Sequence, residues 1–207
     1  MVWLLRPLCM RYQFVVVCAL IFFCTIVLSG VTTADNISES EKMWDTGKAL
    51  WDERKYDEAL VSFKNASTLN PNNTDAWFFT GLTLARLGKM EEAVTAYEQV
   101  SLLDPKNAVA WFNKGTNLAV LNRTDEAMKS YDKAIELDSG YAFPWYNKGN
   151  ILADENKFDD ALKAYNRAIE IDPTFAIAWG AKGDVLAKLG RVPESVDAYK
   201  TAKELDS

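Results

Sequence analysis

The sequence predicts an all-α array of antiparallel helix hairpins, on three observations. Special residues return at a fixed spacing of 34, so one short unit is repeated along the chain. Within each unit they stand three and four apart, the spacing of one helix face, first around a tryptophan and then around a tyrosine. Glycine also returns at one phase of the first helix, although it costs about 1 kcal/mol relative to alanine inside a helix, so its place there is a packing requirement.

The aligned positions justify each part of the unit. Trp77, Trp111, Trp145 and Trp179 coincide, with Met43 in the first copy. Gly47, Gly81, Gly115, Gly149 and Gly183 follow four residues on, and Leu50, Leu84, Leu118, Leu152 and Leu186 three beyond. The second half of the unit brings Ala59, Ala93, Ala127, Ala161 and Ser195, then Phe63, Tyr97, Tyr131, Tyr165 and Tyr199. Ala66, Val100, Ala134, Ala168 and Ala202 come next, and Pro71, Pro105 and Pro173 close three units. We expect glycine on the first helix to face alanine on the second, letting the backbones approach, with Trp and Tyr flanking that contact.

This pattern resembles the tetratricopeptide repeat (TPR), W-x-x-L-G-x-x-Y, then A-x-x-x-F, then P, over about four fifths of the chain. The departures are Leu for the first-helix Tyr, Lys114, Lys148 and Lys182 where Leu is common, Ser139 and Ser207 for the closing Pro, and Met43 for the first Trp. The resemblance implies a right-handed superhelical solenoid of five units, 40–73, 74–107, 108–141, 142–175 and 176–207, with the first helices lining a concave face.

From the start of the chain, residues 1–34 are a targeting segment. Arg6 and Arg11 precede the uncharged run 13–28, which lacks amphipathic spacing. Two fates fit: a cleaved signal peptide, with Thr32 and Ala34 as small residues before Asp35, or a transmembrane anchor, since 12–34 is about the length a spanning helix needs. Either places the repeats outside the cytoplasm, secreted or membrane-anchored, because bases lie before the apolar run and Asp35, Glu39 and Glu41 after it. Cys9, Cys18 and Cys24 all fall in this segment, so the repeats hold no disulfide. Residues 35–39 read as a linker.

In the array we expect helices over about 40–53 and 56–69, 75–87 and 90–103, 108–121 and 124–137, 142–155 and 158–171, and 176–189 and 193–205. Gly88 and Gly190 fit helix ends, Thr124 an N-cap and Pro193 a first helical position. Asn-x-Ser/Thr sequons stand at Asn36 in the linker, Asn65 on an outer helix side, and Asn72 and Asn122 in turns; all are glycosylation candidates for an exported chain.

Residues 35–207 hold 29 acids against 21 bases, a net of −8, without a basic stripe, which argues against nucleic acid. There is no His in the chain, no Cys in the repeats, no phosphate loop and no metal-ligand spacing, so neither an enzyme nor a cofactor is implied. Adjacent acids such as Asp125 and Glu126 open second helices, where they complement the dipole.

The resemblance to the repeat family implies a partner-binding groove at Trp44, Trp51, Phe78, Phe79, Phe112, Asn113, Phe143, Tyr146, Asn147 and Asn150, with Lys48, Leu82, Thr116, Gly180 and Asp184 beside them. Rings supply contact area and amides satisfy backbone groups of a peptide or protein ligand. The competing reading gives the rings to inner-face packing, the asparagines to neighbouring helices and the lysine row to a ladder of ion pairs. The cations of the family's carboxylate clamp are missing at these phases, so no such clamp is expected. The expected role is a non-enzymatic interaction scaffold. The alternatives are self-assembly through the last repeat, where Tyr199 and Ala202 lack a covering helix, and an enzyme.

Overall fold

The computed structural model describes residues 32–206; the apolar run 13–28 and the three cysteines lie outside the described residues. Ten helices and no strand are found among those described. They are α1 (Thr33–Asp52), α2 (Tyr56–Leu69), α3 (Thr74–Arg86), α4 (Met90–Leu103), α5 (Ala108–Val120), α6 (Thr124–Leu137), α7 (Ala142–Asp154), α8 (Phe158–Ile171), α9 (Ala176–Lys188) and α10 (Val192–Leu205). The chain divides into two compact units, 1–39 and 40–207. None of the described helices is long and apolar enough to cross a membrane.

In the first unit the expected linker 35–39 is helical. The cause is local: the Thr32 backbone N–H and hydroxyl each donate to Asp35 Oδ2 at 2.9 Å, and the Asp35 N–H donates back to Thr32 Oγ1 at 3.2 Å. This reciprocal box satisfies orphan donors at a helix start. The same bonds hold the Asp35 carboxyl below its usual pKa. Helix α1 therefore begins seven residues ahead of the expected Ser40.

The second unit is built from five hairpins, α1 from Ser40 onward with α2, then α3–α4, α5–α6, α7–α8 and α9–α10. The turn inside every hairpin uses one device. Arg54, Gly88, Asn122, Asn156 and Gly190, 34 apart, all take positive φ between 57° and 76°. The next N–H in each case reaches back five residues, as Lys89 does to Leu84 O at 2.8 Å, closing the helix in a Schellman turn. Glycine answers this backbone twice; elsewhere Asn and Arg accept the left-handed strain. Thr124, expected as an N-cap, is instead the first residue of α6, and no side chain caps that helix.

In the hairpin contact the ring expected to flank the glycine lies directly on it. Each repeat glycine has the aromatic ring of its own second helix as its nearest neighbour, with the alanine phase also against it in two repeats: Ala127 O would stand 3.2 Å from a Cβ on Gly115, and Ser195 Oγ donates to Gly183 O at 2.9 Å. A Cβ built on Gly47, Gly81, Gly115, Gly149 or Gly183 would stand 2.5–2.9 Å from carbons of Phe63, Tyr97, Tyr131, Tyr165 or Tyr199. The ring lies on bare backbone, which a flat side chain covers more completely than a methyl group does. Ala59, Ala93, Ala127 and Ala161 are fully buried, one turn before those rings in the second helices. Between hairpins, Ala76, Ala110, Pro144 and Ala178 are buried small residues on the first helices.

Three of the four aligned tryptophans also tie their repeat to the turn before it. The indole N–H of Trp77, Trp111 and Trp179 donates to the carbonyl of Pro71, Pro105 and Pro173, six residues back, at 3.0–3.2 Å. Trp145 breaks the series: Ser139 replaces Pro, and the indole nitrogen is buried without a partner.

Candidate peptide-binding groove on the first helices

Of the ten candidate groove residues only Phe143 is exposed; the others are half-buried. In the N-terminal hairpins the rings pack on one another. Trp44 and Trp51 stand at 6.1 and 6.3 Å from Phe79, which also meets Phe63 at 5.4 Å and Phe78 at 6.0 Å; Phe78 continues to Tyr97 at 5.8 Å. This cluster serves the fold, and the Trp44 indole nitrogen within it is buried without a partner among the described residues.

The third to fifth hairpins are arranged differently. Asn73 and Asn107 cap α3 and α5, each accepting a helix N–H at 2.9 Å. At the same phase before α7 and α9 stand Tyr141 and Phe175, which make no side-chain cap. An asparagine cap contributes about 1 kcal/mol; here it is exchanged for rings. Tyr141 lies 5.1 Å from Phe112 and 6.0 Å from Phe143, while Phe175 lies 4.9 Å from Phe143 and 5.2 Å from Tyr146. Phe112 and Phe143 are 6.1 Å apart, so one column of rings runs from α5 across α7 to the residue that precedes α9. At one repeat phase Val109, Phe143 and Ile177, one from each of α5, α7 and α9, are exposed by 45%, 49% and 63%. The sequence reading missed Val109, Tyr141, Phe175 and Ile177. The cap phase, where Asn gives way to an aromatic, is the signal that finds two of them.

The candidate amides satisfy tyrosine hydroxyls. Tyr165 donates to Asn150 Oδ1 at 2.8 Å, and Tyr199 to Asp184 Oδ1 at 2.6 Å. Asn147 reaches into the preceding hairpin, with its Nδ2 3.3 Å from both Thr116 Oγ1 and Tyr131 Oη. Asn113 instead donates to Val109 O on its own helix at 3.0 Å. Leu82 occupies the phase of Thr116, Asn150 and Asp184, and the Tyr97 hydroxyl opposite it is buried without a partner. Burial pushes the Tyr97, Tyr131 and Tyr165 phenols above their ordinary value.

The lysine row is tied down. Lys114, Lys148 and Lys182 lie 4.9–5.7 Å from the rings of Trp111, Trp145 and Trp179, and Lys48, at another phase, lies 5.3 Å from Trp44. Lys114 adds an ion pair to Glu98 at 3.0 Å in the preceding hairpin, and Lys148 pairs with Asp132. Asn166 stands at that phase opposite Lys182, whose pKa burial lowers.

Beside the ring column a groove of about 430 Å³ opens between α5 and α7, with Thr116, Asn147, Asn150, Ile151 and Asp154 in its walls. A second, of about 480 Å³, is lined by Tyr146, Ile177, Gly180, Asp184 and Lys203. Among the sequons, Asn122 lies on the rim of the first groove, Asn65 and Asn72 are exposed, and Asn36 is half-buried on α1 instead of in a linker.

Profiles of the tetratricopeptide repeat match residues 45–108 and 88–142, 142–175, and 164–197. No curated protein matches the chain. Among solved structures, a crystal structure of MamA is 25% identical, covering 77% of this chain and 94% of that one with a TM-score of 0.72. MamA from Desulfovibrio magneticus RS-1, residues 41 to the end, is 18% identical over 81% of this chain and 95% of its own, with a TM-score of 0.74. YrrB, described as a TPR protein with an unusual peptide-binding site, is 20% identical over 84% and 92%, with a TM-score of 0.66. With matched repeats running from residue 45 to 197 and this hairpin solenoid, the chain belongs to the tetratricopeptide-repeat family.

Proposed function

We propose that this protein is a non-enzymatic scaffold that holds a segment of a partner protein across the first helices of its third to fifth repeats, outside the cytoplasm. The observation that carries the reading is the row Val109, Phe143 and Ile177, exposed on successive first helices. Large apolar side chains on rigid, packed helices gain contact area when a ligand covers them, without first having to be ordered. The fold shared with YrrB, a TPR protein with a peptide-binding site, is an analogy in its favour. The chain's lack of histidine, and of cysteine in the repeats, supports a binding role over catalysis.

Display outside the cytoplasm rests on Arg6 and Arg11 before the apolar run and the acids after it. On this reading residues 12–34 either anchor the protein or are removed on export. A photoreactive residue at Phe143, crosslinked in intact cells, tests the groove: adducts that vanish with Ile177→Asp support it, and adducts indifferent to that change refute it. Digestion of the repeats by protease added to intact cells tests the location.

A second reading, self-association, has its own observation. Tyr199 is 41% exposed while Phe63, Tyr97, Tyr131 and Tyr165 are 0–2% exposed, and Val192 and Val196 on the same helix are exposed too. Head-to-tail stacking is disfavoured, because Lys42 occupies the phase where Ala76, Ala110, Pro144 and Ala178 are buried. A pairing of α10 with α10 from a second copy is the arrangement this leaves. Light scattering that returns the same mass for the wild type and for Val196→Glu removes this reading.

A further inference from the structure

The joints between repeats fall into two kinds at one place: the first and last carry a cation on a ring, the two between do not, Val120 and Met90 standing there at the second joint and an acid at the third. First helices end in a cation laid on a ring at two joints: Arg86 at the end of α3 lies 5.5 Å from the Tyr56 ring, and Lys188 at the end of α9 lies 5.5 Å from the Phe158 ring. At the end of α7 that residue is Asp154, and the phase of Tyr56 and Phe158 is held by Thr124. Neither the cation nor the ring is there. The groove of about 430 Å³ occupies this place, with Thr116, Thr124, Asn147 and Asn150 around the acid.

Asp154 and Glu155 are the only charged residues lining the groove. Glu155 already pairs with Lys157 at 2.7 Å, whereas no ion pair or hydrogen bond engages the Asp154 carboxylate among the described residues. The acid also sits at the end of a helix, where the dipole favours cations. Phe143, Asn147, Asn150 and Asp154 are spaced four, three and four apart, so they share one face of α7. Eleven residues of helix separate the exposed ring from the acid, about 16 Å. An extended chain covers that distance in about five residues.

We infer that the groove selects a peptide segment carrying a lysine or arginine about five residues from an apolar anchor, the anchor on Phe143 and Ile177 and the cation at Asp154. This rests on the groove reading above and adds the chemistry of its occupant. The ligand's cation takes the place that Arg86 and Lys188 fill at the first and last joints, where the third joint offers an acid, and its methylene stem fills the volume of the absent ring.

The test uses the full-length chain in phosphatidylcholine nanodiscs and fluorescein-labelled peptides Ser-Ile-Leu-Ser-Gly-Ser-Ser-X-Ser, with X as Lys, Gln or Glu, read by fluorescence polarisation against empty nanodiscs. The Lys peptide is expected to bind about fivefold more tightly than the Gln peptide, the weight of one exposed charge pair, with the Glu peptide weakest. Asp154→Asn removes the Lys preference and leaves the Gln peptide unchanged, while Phe143→Ala weakens all three. Moving the lysine next to the leucine also removes the gain. Equal binding of the three peptides, with sensitivity to Phe143→Ala kept, overturns this inference and leaves the groove reading standing. Binding that is absent, or indifferent to Phe143→Ala, overturns both.

Discussion

Tyr165 lies flat against Gly149, so close that a methyl group built on the glycine would stand 2.5 Å from the ring, whose hydroxyl is pinned to Asn150 at 2.8 Å. Gly149→Ala gains about 1 kcal/mol of helix propensity and loses about 1–3 kcal/mol to overpacking. A net loss of up to about 2 kcal/mol is expected, read as a lower urea midpoint. Gly180→Ala, with nothing within 4 Å of its Cβ, is the control and should stabilise by up to about 1 kcal/mol. Equal effects at the two sites would dismiss the ring-on-backbone contact.

That contact shows how far the sequence could be read. Spacing placed glycine, alanine and tyrosine on the inner faces of paired helices, but a one-dimensional period does not say which of two facing residues lies opposite the glycine. The repeat units were readable because five copies average out local noise. The start of α1 was not, since it depends on one Thr32–Asp35 box that occurs once. The groove fared similarly. Rings one residue after Trp77, Trp111 and Trp145 were visible, yet Asn147 and Asn150 prove to serve tyrosine hydroxyls in units where Leu82 cannot. Tyr141 and Phe175 occupy a cap phase whose usual occupant hides their role.

The unpaired hydroxyl of Tyr97 sets up a contrast between equivalent residues. Removing a buried donor that has no partner recovers its desolvation cost, so Tyr97→Phe should be neutral or stabilise by about 1 kcal/mol. Tyr165→Phe breaks a made bond and should destabilise by about 1 kcal/mol, leaving Asn150 Oδ1 without its donor. Denaturant midpoints of the two variants should move in opposite directions. A loss at Tyr97 as large as at Tyr165 would mean that its hydroxyl is satisfied.

These phenols also govern the alkaline limit. Burial raises the pKa of Tyr97, Tyr131 and Tyr165 in the folded chain above the ordinary 10.0. Below that value folded and unfolded chains are both protonated and the stability is complete. Above it the unfolded chain releases protons that the folded chain keeps, so stability falls as pH rises, by about 1.4 kcal/mol per pH unit for each tyrosine fully retained. Urea midpoints should hold between pH 8 and 9.5 and fall steeply beyond 10. Tyr97→Phe should make that fall shallower; an unchanged slope would count against the burial argument.

The joint at Ser139 can be repaired. Asp138, with φ −141° and ψ 96°, already holds the extended conformation of Asn70, Asp104 and Asp172, each of which precedes a proline. Ser139→Pro should stabilise by about 0.4–1 kcal/mol through the unfolded state. If the turn then matches the others, the Trp145 indole N–H gains a carbonyl acceptor, and its hydrogen exchange should slow relative to the wild type. Destabilisation would show that the Ser139–Gly140 turn requires a backbone proline cannot adopt.

The last lysine of the row offers a gain from one charge. Lys114 and Lys148 each meet an acid on the second helix of the preceding hairpin, while Lys182 meets Asn166 at that place, and burial lowers its pKa. Asn166→Asp should complete the ladder. An exposed acid beside a half-buried lysine adds up to about 1 kcal/mol, an amount that shrinks as salt screens it. The expected outcome is a higher melting temperature for Asn166→Asp at low salt, most of which disappears at 1 M sodium chloride. The double variant Asn166→Asp with Lys182→Gln should lose the gain altogether, because the new acid then has no cation over Trp179. A gain that survives that double change would place the effect in the field of Lys163 and Arg191 and not in the ladder.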